Sequence, residues 1–188
     1  ALDTVVGEVG PDRVLYGSAA PLLPMQKGLN QILDTRLTAT DKAAILGQNA
    51  VRLFQLDPAI LAGRPTLASD QPLRFDEPAI DVHSHIGYWQ RPPYEENDPA
   101  GMLRRMRQFN IRIGIVSAYE SMRYDIAAGN RAVADAIRGH PELRGCVELN
   151  PHQYDLSCAE MDRYFTQPNF VGAEIELSHI PAPTGGPQ

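Results

Sequence analysis

Short apolar runs alternate with helix-like patterns over the part of the chain that follows residue 78. Apolar runs of about six residues indicate strands, and apolar residues three or four apart indicate helices. The pattern predicts strands at 79–82, 111–117, 144–149 and 171–177, and helices at 99–109, 127–138 and 156–165. Strands separated by helices of about ten or more residues indicate βαβ units with right-handed crossovers. We therefore predict an α/β fold built on a parallel sheet.

Before residue 57 the pattern predicts one strand followed by helices. A strand at 13–16 follows a Gly-Pro-Asp turn, and apolar residues at helical spacing predict a helix over 25–35. A second helix is predicted to begin with Thr40 and Asp41 as caps and to end near Gly47. From residue 57 to residue 78, repeated prolines discourage regular structure and indicate a linker. An ordered loop packed along the outside of a domain is the alternative.

Length and charge restrict the classes of protein to consider. The chain has 188 residues, a net charge of -6 and 43% hydrophobic residues. This length suits one ordinary domain and is short for an eight-stranded α/β barrel, which needs about 250 residues. The negative charge argues against affinity for nucleic acid or anionic membranes, and no stretch is apolar for long enough to span a bilayer. With no signal peptide visible at the start, a cytoplasmic location is the expectation.

The cysteine content points away from disulfides. Cys146 and Cys158 are the two cysteines, which is too few for a disulfide framework or a cysteine-rich zinc site. Cys146 lies in an apolar run and is interpreted as a small core residue, with a catalytic thiol as the alternative.

The most informative chemical signal is the pentapeptide Asp81-Val82-His83-Ser84-His85, at the end of an apolar run. Side chains two apart on a strand point to the same face, so both imidazoles can reach one metal ion. Neutral imidazole is a good ligand for zinc, iron and related divalent metals. Asp98-Pro99 then predicts the start of a helix. The pair would therefore lie at the carboxyl end of a strand, where barrel enzymes place catalytic groups. A chance pair with one histidine capping the strand is the alternative.

Several short motifs occur together in a fitting order and spacing: Ile80-Asp81-Val82-His83-Ser84-His85-Ile86-Gly87, Gly114-Ile115-Val116-Ser117, Gly129-Asn130, His140-Pro141, Asn150-Pro151 and Phe170-Val171-Gly172. In these motifs the segment resembles the beginning of the amidohydrolase superfamily, in the branch that includes aminocarboxymuconate-semialdehyde decarboxylase. Residues 10–18 are similar to the eighth strand of the same family, and residues 42–53 to its closing helix. The resemblance implies a partial (β/α)8 TIM barrel of the metal-dependent hydrolase type.

The family's order is inverted in this chain, because the end of a barrel precedes the beginning of one. The resemblance divides the chain into 1–57, the end of an amidohydrolase-like barrel, 58–78, a linker, and 79–188, strands one to four of a barrel. An interior piece of a tandem protein is favoured, and a permuted barrel with strand eight beside strand one is the alternative.

The resemblance also implies roles for single residues. His83 and His85 match the family's metal ligands, whereas its other ligands have no match in this chain. The aspartate that usually follows the Gly-Ser pair, a metal ligand and proton acceptor, is replaced by Ala19. Glu174 stands where members often carry lysine, which weakens a substrate-anion role there.

Three further residues are candidates for substrate binding. Tyr88 and Trp89 follow the histidine pair and are expected to form one wall of a substrate pocket. Packing of their loop against the barrel rim is the alternative. His179 follows the last predicted strand and is a candidate polar group at the same barrel face, with an exposed loop histidine as the alternative.

Two functions remain open at this point. The first is hydrolysis or decarboxylation of a small organic acid, ester or amide at one divalent metal ion, with zinc favoured and manganese as the alternative. A small-molecule substrate is then the expected partner, and a homo-oligomer is compatible with the sequence. The second is a catalytically degenerate barrel with a structural or assembly role, and Ala19 motivates it.

Overall fold

The computed structural model of the chain describes residues 2–63, 73–87 and 97–176. Its first part is helical on either side of an extended stretch at 14–20. The elements of this part are α1 (Leu2–Val9), a 3-10 turn (Pro11–Arg13), α2 (Met25–Leu33), α3 (Ala39–Ala43), a π-helical turn (Ala44–Gln48), α4 (Asn49–Leu53) and a second 3-10 turn (Pro58–Leu61).

A parallel sheet of four strands in the order β1-β2-β3-β4 forms the second part. Its elements are β1 (Ala79–Ile86), α5 (Pro99–Gln108), β2 (Ile111–Ala118), α6 (Tyr119–Arg123), α7 (Ile126–Ile137), β3 (Leu143–Leu149), a 3-10 turn (Pro151–Gln153), α8 (Tyr154–Tyr164) and β4 (Phe170–Ile175). Strands alternate with helices as predicted, and β1 is longer than its apolar run because its polar residues continue the ladder. The α/β class is confirmed, with an architecture consistent with a partial (β/α)8 barrel.

The extended stretch at 14–20 lies beside β1. Val82 N–H donates to the Tyr16 carbonyl at 3.0 Å, and Ala19 N–H donates to the His83 carbonyl at 2.7 Å. A parallel bridge near the end of the stretch continues this pairing. The structure has no regular strand at the predicted range 13–16, because Arg13 closes the preceding 3-10 turn and residues 14–20 form an extended stretch with an isolated bridge. Through these bonds, the stretch adds a fifth parallel segment to the sheet.

Both faces of the sheet are covered, as a parallel sheet requires. One face packs against the helices in a large apolar cluster that includes Leu29, Met102, Met106, Val116, Val133, Leu143 and Val147. On the other face, Ile80, Ile113 and Ile115 pack with Ala50 and with partly buried residues that include Phe54 and Leu61. This inner cluster occupies the half of the face near the strand starts. It leaves the carboxyl ends of the strands to polar side chains.

Local capping explains where the helices begin. Asp98 and Asp125 each accept a hydrogen bond from a backbone N–H three residues on, at 2.7 and 2.9 Å, which confirms both predicted N-caps. The helix predicted to start at Thr40 and Asp41 instead begins after Thr38, whose hydroxyl oxygen accepts from Asp41 N–H at 3.1 Å in a capping box.

Gly47 does not end this helix, contrary to the prediction. It lies inside the π-helical turn, and the backbone continues without a break into α4. A Cβ atom at this position would lie 2.9 Å from a methyl carbon of Leu61. The glycine therefore permits a close contact with the following 3-10 turn, which is a tertiary reason that local patterns do not reveal.

The described ends of the proline-rich stretch are packed on the sheet. Residues of the Pro58–Leu61 turn join the inner cluster, Phe75 is buried, and Asn110 Nδ2 donates to the Asp76 carbonyl at 2.5 Å. The division of the chain into 1–57, 58–78 and 79–188 stays a prediction. Within the described ranges, no helix combines the length and the apolar character needed to cross a membrane.

Candidate metal centre

The two histidines of β1 lie side by side. The rings of His83 and His85 have centroids 4.7 Å apart and meet edge to face at 85°. This follows from their i, i+2 spacing on one strand, which places alternate side chains on one side. Gly17 leaves room for the His83 side chain, because a Cβ atom at Gly17 would lie 2.8 Å from His83 Cβ. The backbone of the neighbouring stretch thus approaches His83 more closely than a side chain would allow.

A third donor comes from the far side of the sheet. The carboxylate of Glu174, on β4, has Oε1 at 3.3 Å from His83 Nδ1. One ligand atom from each of His83, His85 and Glu174 lies within 4.8 Å of the others. Since β2 and β3 separate β1 from β4, this contact requires a strongly curved sheet whose strand ends surround a common space. In the sequence, Glu174 stands out only as a departure from a family lysine. The available signal was its position within the strand predicted at 171–177, whose carboxyl end meets the same sheet edge as the histidines.

His85 is buried and held in place. Its exposed fraction is 1%, its Nδ1 lies 2.9 Å from Ser117 Oγ, and the ring of Tyr119 is 5.0 Å away. Burial and, to a smaller extent, the neighbouring His83 together lower the pKa of His85 to about 3. The imidazole is therefore neutral at physiological pH and keeps a lone pair for a cation. The side chain of His83 is 43% exposed and faces solvent more directly.

A buried carboxylate ties the 14–20 stretch to β1. Asp81 accepts hydrogen bonds from Ser18 N–H at 2.8 Å, from the Ser18 hydroxyl at 2.5 Å and from His83 N–H at 3.3 Å. Burial raises the pKa of Asp81 to about 6, against the lowering effect of the bonds from Ser18. These bonds place Ala19 directly beside His83. The methyl group at this position supplies neither a metal ligand nor a proton acceptor.

A second buried carboxylate lies next to the candidate ligands. Glu148 pairs with Glu174 in the β3–β4 ladder and is 1% exposed. Its Oε1 accepts from Glu176 N–H at 3.1 Å, and its Oε2 has no hydrogen-bond partner among the described residues. Burial and, to a smaller extent, the negative charge of Glu174 together raise the pKa of Glu148 to about 8. Cys146, two residues before it, has its pKa raised to about 12, chiefly by burial.

We expect the stability of the metal-free protein to fall with pH because of Glu148. Its carboxyl keeps its proton in the folded state up to about pH 8, compared with an ordinary pKa of 4.5. The stabilisation is therefore complete below pH 4.5 and is lost as the pH rises to about 8. Relative to Glu148→Gln, the loss should be on the order of a few kcal/mol.

Urea unfolding in EDTA from about pH 5 to about pH 9 measures this loss. The exposed Glu120→Gln is the control and should follow the wild type. Parallel curves of stability against pH for the wild type and Glu148→Gln would show that this carboxyl does not titrate abnormally.

The remaining predicted site residues cannot be placed. Tyr88, Trp89 and His179 lie outside the described residues, and their proposed contacts with substrate stay predictions. Cys146 contributes to the inner apolar cluster, in agreement with its interpretation as a small core residue.

The donor set suits a divalent cation. Two imidazole nitrogens and one carboxylate oxygen are ligands that zinc, iron and manganese accept. Three protein ligands with a further position open to water or substrate are the pattern of catalytic zinc sites. The residues present therefore fit the divalent metal ion that the resemblance implies.

Residues 1–56 match the family model described as Amidohydrolase. No curated protein and no solved structure matches the chain. The matched segment contains Ser18 and Ala19 and ends before the histidine pair, and it supports the amidohydrolase superfamily. Together with the histidine and glutamate cluster, it supports a metal-dependent, hydrolase-like function.

Proposed function

We propose that this chain forms the metal centre of an amidohydrolase-type enzyme that hydrolyses or decarboxylates a small organic acid, ester or amide. The observation that carries the proposal is the convergence of His83, His85 and Glu174, whose ligand atoms lie within 4.8 Å of one another. The two histidines come from β1 and the glutamate from β4, and all three lie at the carboxyl edge of the curved sheet, where parallel-barrel enzymes act. The resemblance of the chain to decarboxylating or hydrolysing members of the family favours zinc as the ion, with manganese as the alternative.

The residues divide the work of such a site between them. A divalent cation supplies Lewis-acid polarisation of a substrate oxygen and acidification of water. His85, buried and neutral, would be a fixed ligand, and the half-exposed His83 would be the ligand nearer to entering substrate. Glu174 would complete the donor set and offset part of the positive charge. Glu148 is a buried proton-holding carboxyl beside this set, and in metal-free protein it stays protonated at neutral pH.

Metal content of the purified protein tests the proposal. We expect about one equivalent of divalent metal per chain in the wild type, measured by mass spectrometry after dialysis against metal-free buffer. The double variant His83→Ala and His85→Ala should hold less than about a tenth of an equivalent, because a single protein ligand cannot retain zinc. A control that replaces His140 and His152, neither of which belongs to the cluster, should keep the metal.

Retention of metal by the double variant would contradict the assignment of the ligands. Absence of metal from the wild type, even after incubation with zinc or manganese, would contradict the enzymatic proposal as a whole. Where metal is present, screening small acids, esters and amides distinguishes hydrolysis from decarboxylation, because only decarboxylation releases carbon dioxide.

A degenerate barrel with a structural role is the second candidate, and Ala19 favours it. Ala19 has a φ of 54°, a left-handed conformation that aspartate adopts more readily than alanine does. The backbone at this position is therefore suited to the aspartate that the family usually carries there. Ala19→Asp should leave the free energy of unfolding unchanged or slightly higher. If the wild type holds no metal and Ala19→Asp acquires both metal and activity, the result would support a barrel that has lost catalysis.

A further inference from the structure

Ser117 stands at a defined position next to His85. It is fully buried in β2, and its Cα is the ladder partner of His85 in β1. Its Oγ lies 2.9 Å from His85 Nδ1. Because the two strands fix both backbones, the contact is determined by the sheet rather than by a flexible loop.

The contact decides which nitrogen of His85 can bind a cation. A neutral imidazole carries one N–H donor and one lone pair, and the bond made by one nitrogen fixes the role of the other. If Nδ1–H donates to Ser117 Oγ, the Nε2 lone pair is free to bind a metal. If the hydroxyl donates to Nδ1 instead, Nε2 carries the proton and neither nitrogen can act as a ligand.

The residues around the His85 ring restrict other orientations of the ring. His83 lies on one side with its centroid at 4.7 Å, and Tyr119 lies at 5.0 Å. The ring is also 1% exposed, so reorientation would displace packed neighbours. A metal-binding His85 therefore requires the arrangement in which Ser117 accepts.

We propose that Ser117 is a positioning residue that accepts a hydrogen bond from His85 Nδ1–H and so directs Nε2 towards the cation. This inference rests on the proposed metal site and assigns a role to a residue that would not touch the metal itself. Hydrogen-bond partners of ligating histidines set the tautomer and the ring orientation in this way.

Metal affinity is the first measurement, with Zn²⁺ or Co²⁺ titrated against a competing chelator. Ser117→Ala should bind about 10- to 100-fold more weakly than the wild type, the usual effect of removing such a partner. Ser117→Thr keeps the hydroxyl and should recover most of the affinity. Ser84→Ala is the matched control, because Ser84 is equally buried between the two histidines but donates to the Ile115 carbonyl at 3.1 Å.

The tautomer of His85 is the second measurement and does not depend on metal. Nitrogen-15 correlation spectra of the metal-free wild type should show the proton on Nδ1. A proton on Nε2, or Ser117→Ala affinity equal to that of the wild type, would overturn the role of Ser117. A wild type that binds no metal while carrying the proton on Nδ1 would instead overturn the proposed function. The spectrum also decides the question if Ser117→Ala does not fold.

Discussion

Gly129→Ala is expected to destabilise the protein by about 3 kcal/mol, the upper part of the range for overpacked interiors. A Cβ atom at Gly129 would lie 2.2 Å from the backbone nitrogen of Ser121 and 2.4 Å from its Cβ. Ser121 cannot move away easily, because it lies in the short helix α6 directly after β2 and its hydroxyl donates to the Ala118 carbonyl at 2.6 Å. Helix propensity alone favours alanine by about 0.5–1 kcal/mol, so the clash has to outweigh this gain.

Urea unfolding of Gly129→Ala and of Gly7→Ala separates these two effects. Gly7 is an exposed residue of α1, and a Cβ atom there would meet no atom within 4 Å. Gly7→Ala should therefore stabilise the protein by about 0.5–1 kcal/mol through propensity. If both variants are more stable than the wild type, then α6 and α7 do not pack closely enough for a Cβ atom at Gly129 to clash with Ser121.

Asp81→Ala is expected to cost about 3 kcal/mol, comparable with other losses of a buried polar group that serves several donors. The substitution leaves the Ser18 N–H and hydroxyl without their acceptor in a region that excludes water. It also removes the bond from His83 N–H and so loosens the 14–20 stretch from β1. We therefore expect faster amide exchange at Ala19, together with weaker metal binding.

Asp81→Asn is the matched comparison. The amide oxygen can still accept from Ser18 N–H, while the amide nitrogen can donate to the Ser18 hydroxyl oxygen, so most of the contact is kept. Unfolding at neutral pH in EDTA should place this variant between the wild type and Asp81→Ala. Equal stability of Asp81→Ala and the wild type would show that the stretch is held by its backbone bonds alone.

Much of the fold could be predicted because its signals are local. The apolar runs fall on the four strands, and Asp98 and Asp125 cap the helices that they precede. Each of these features depends on residues a few positions apart. The start of the second helix was misplaced by two residues because several residues near it can cap a helix and only packing selects Thr38.

Of the candidate site, the sequence predicted only the two residues that lie on a single strand. His83 and His85 share β1, and their spacing alone brings them together. Glu174 is ninety-one residues from His83 and meets it only because the sheet curves, and curvature depends on how all the strands pack. Likewise, the contact of Ser117 with His85 depends on the register of β1 against β2, which neither strand specifies by itself.

The unequal burial of the two histidines would have a kinetic consequence for a cation bound at the proposed site. His85 is 1% exposed and His83 has 43% of its side chain exposed, so one imidazole is fixed and the other can rotate into solvent. A cation bound by both would begin to dissociate when the outer imidazole turns away. It would then still be held by the inner imidazole long enough for recapture. The lifetime of the bound cation would thus depend on the motion of His83, whereas His85 would fix the position at which the cation rebinds.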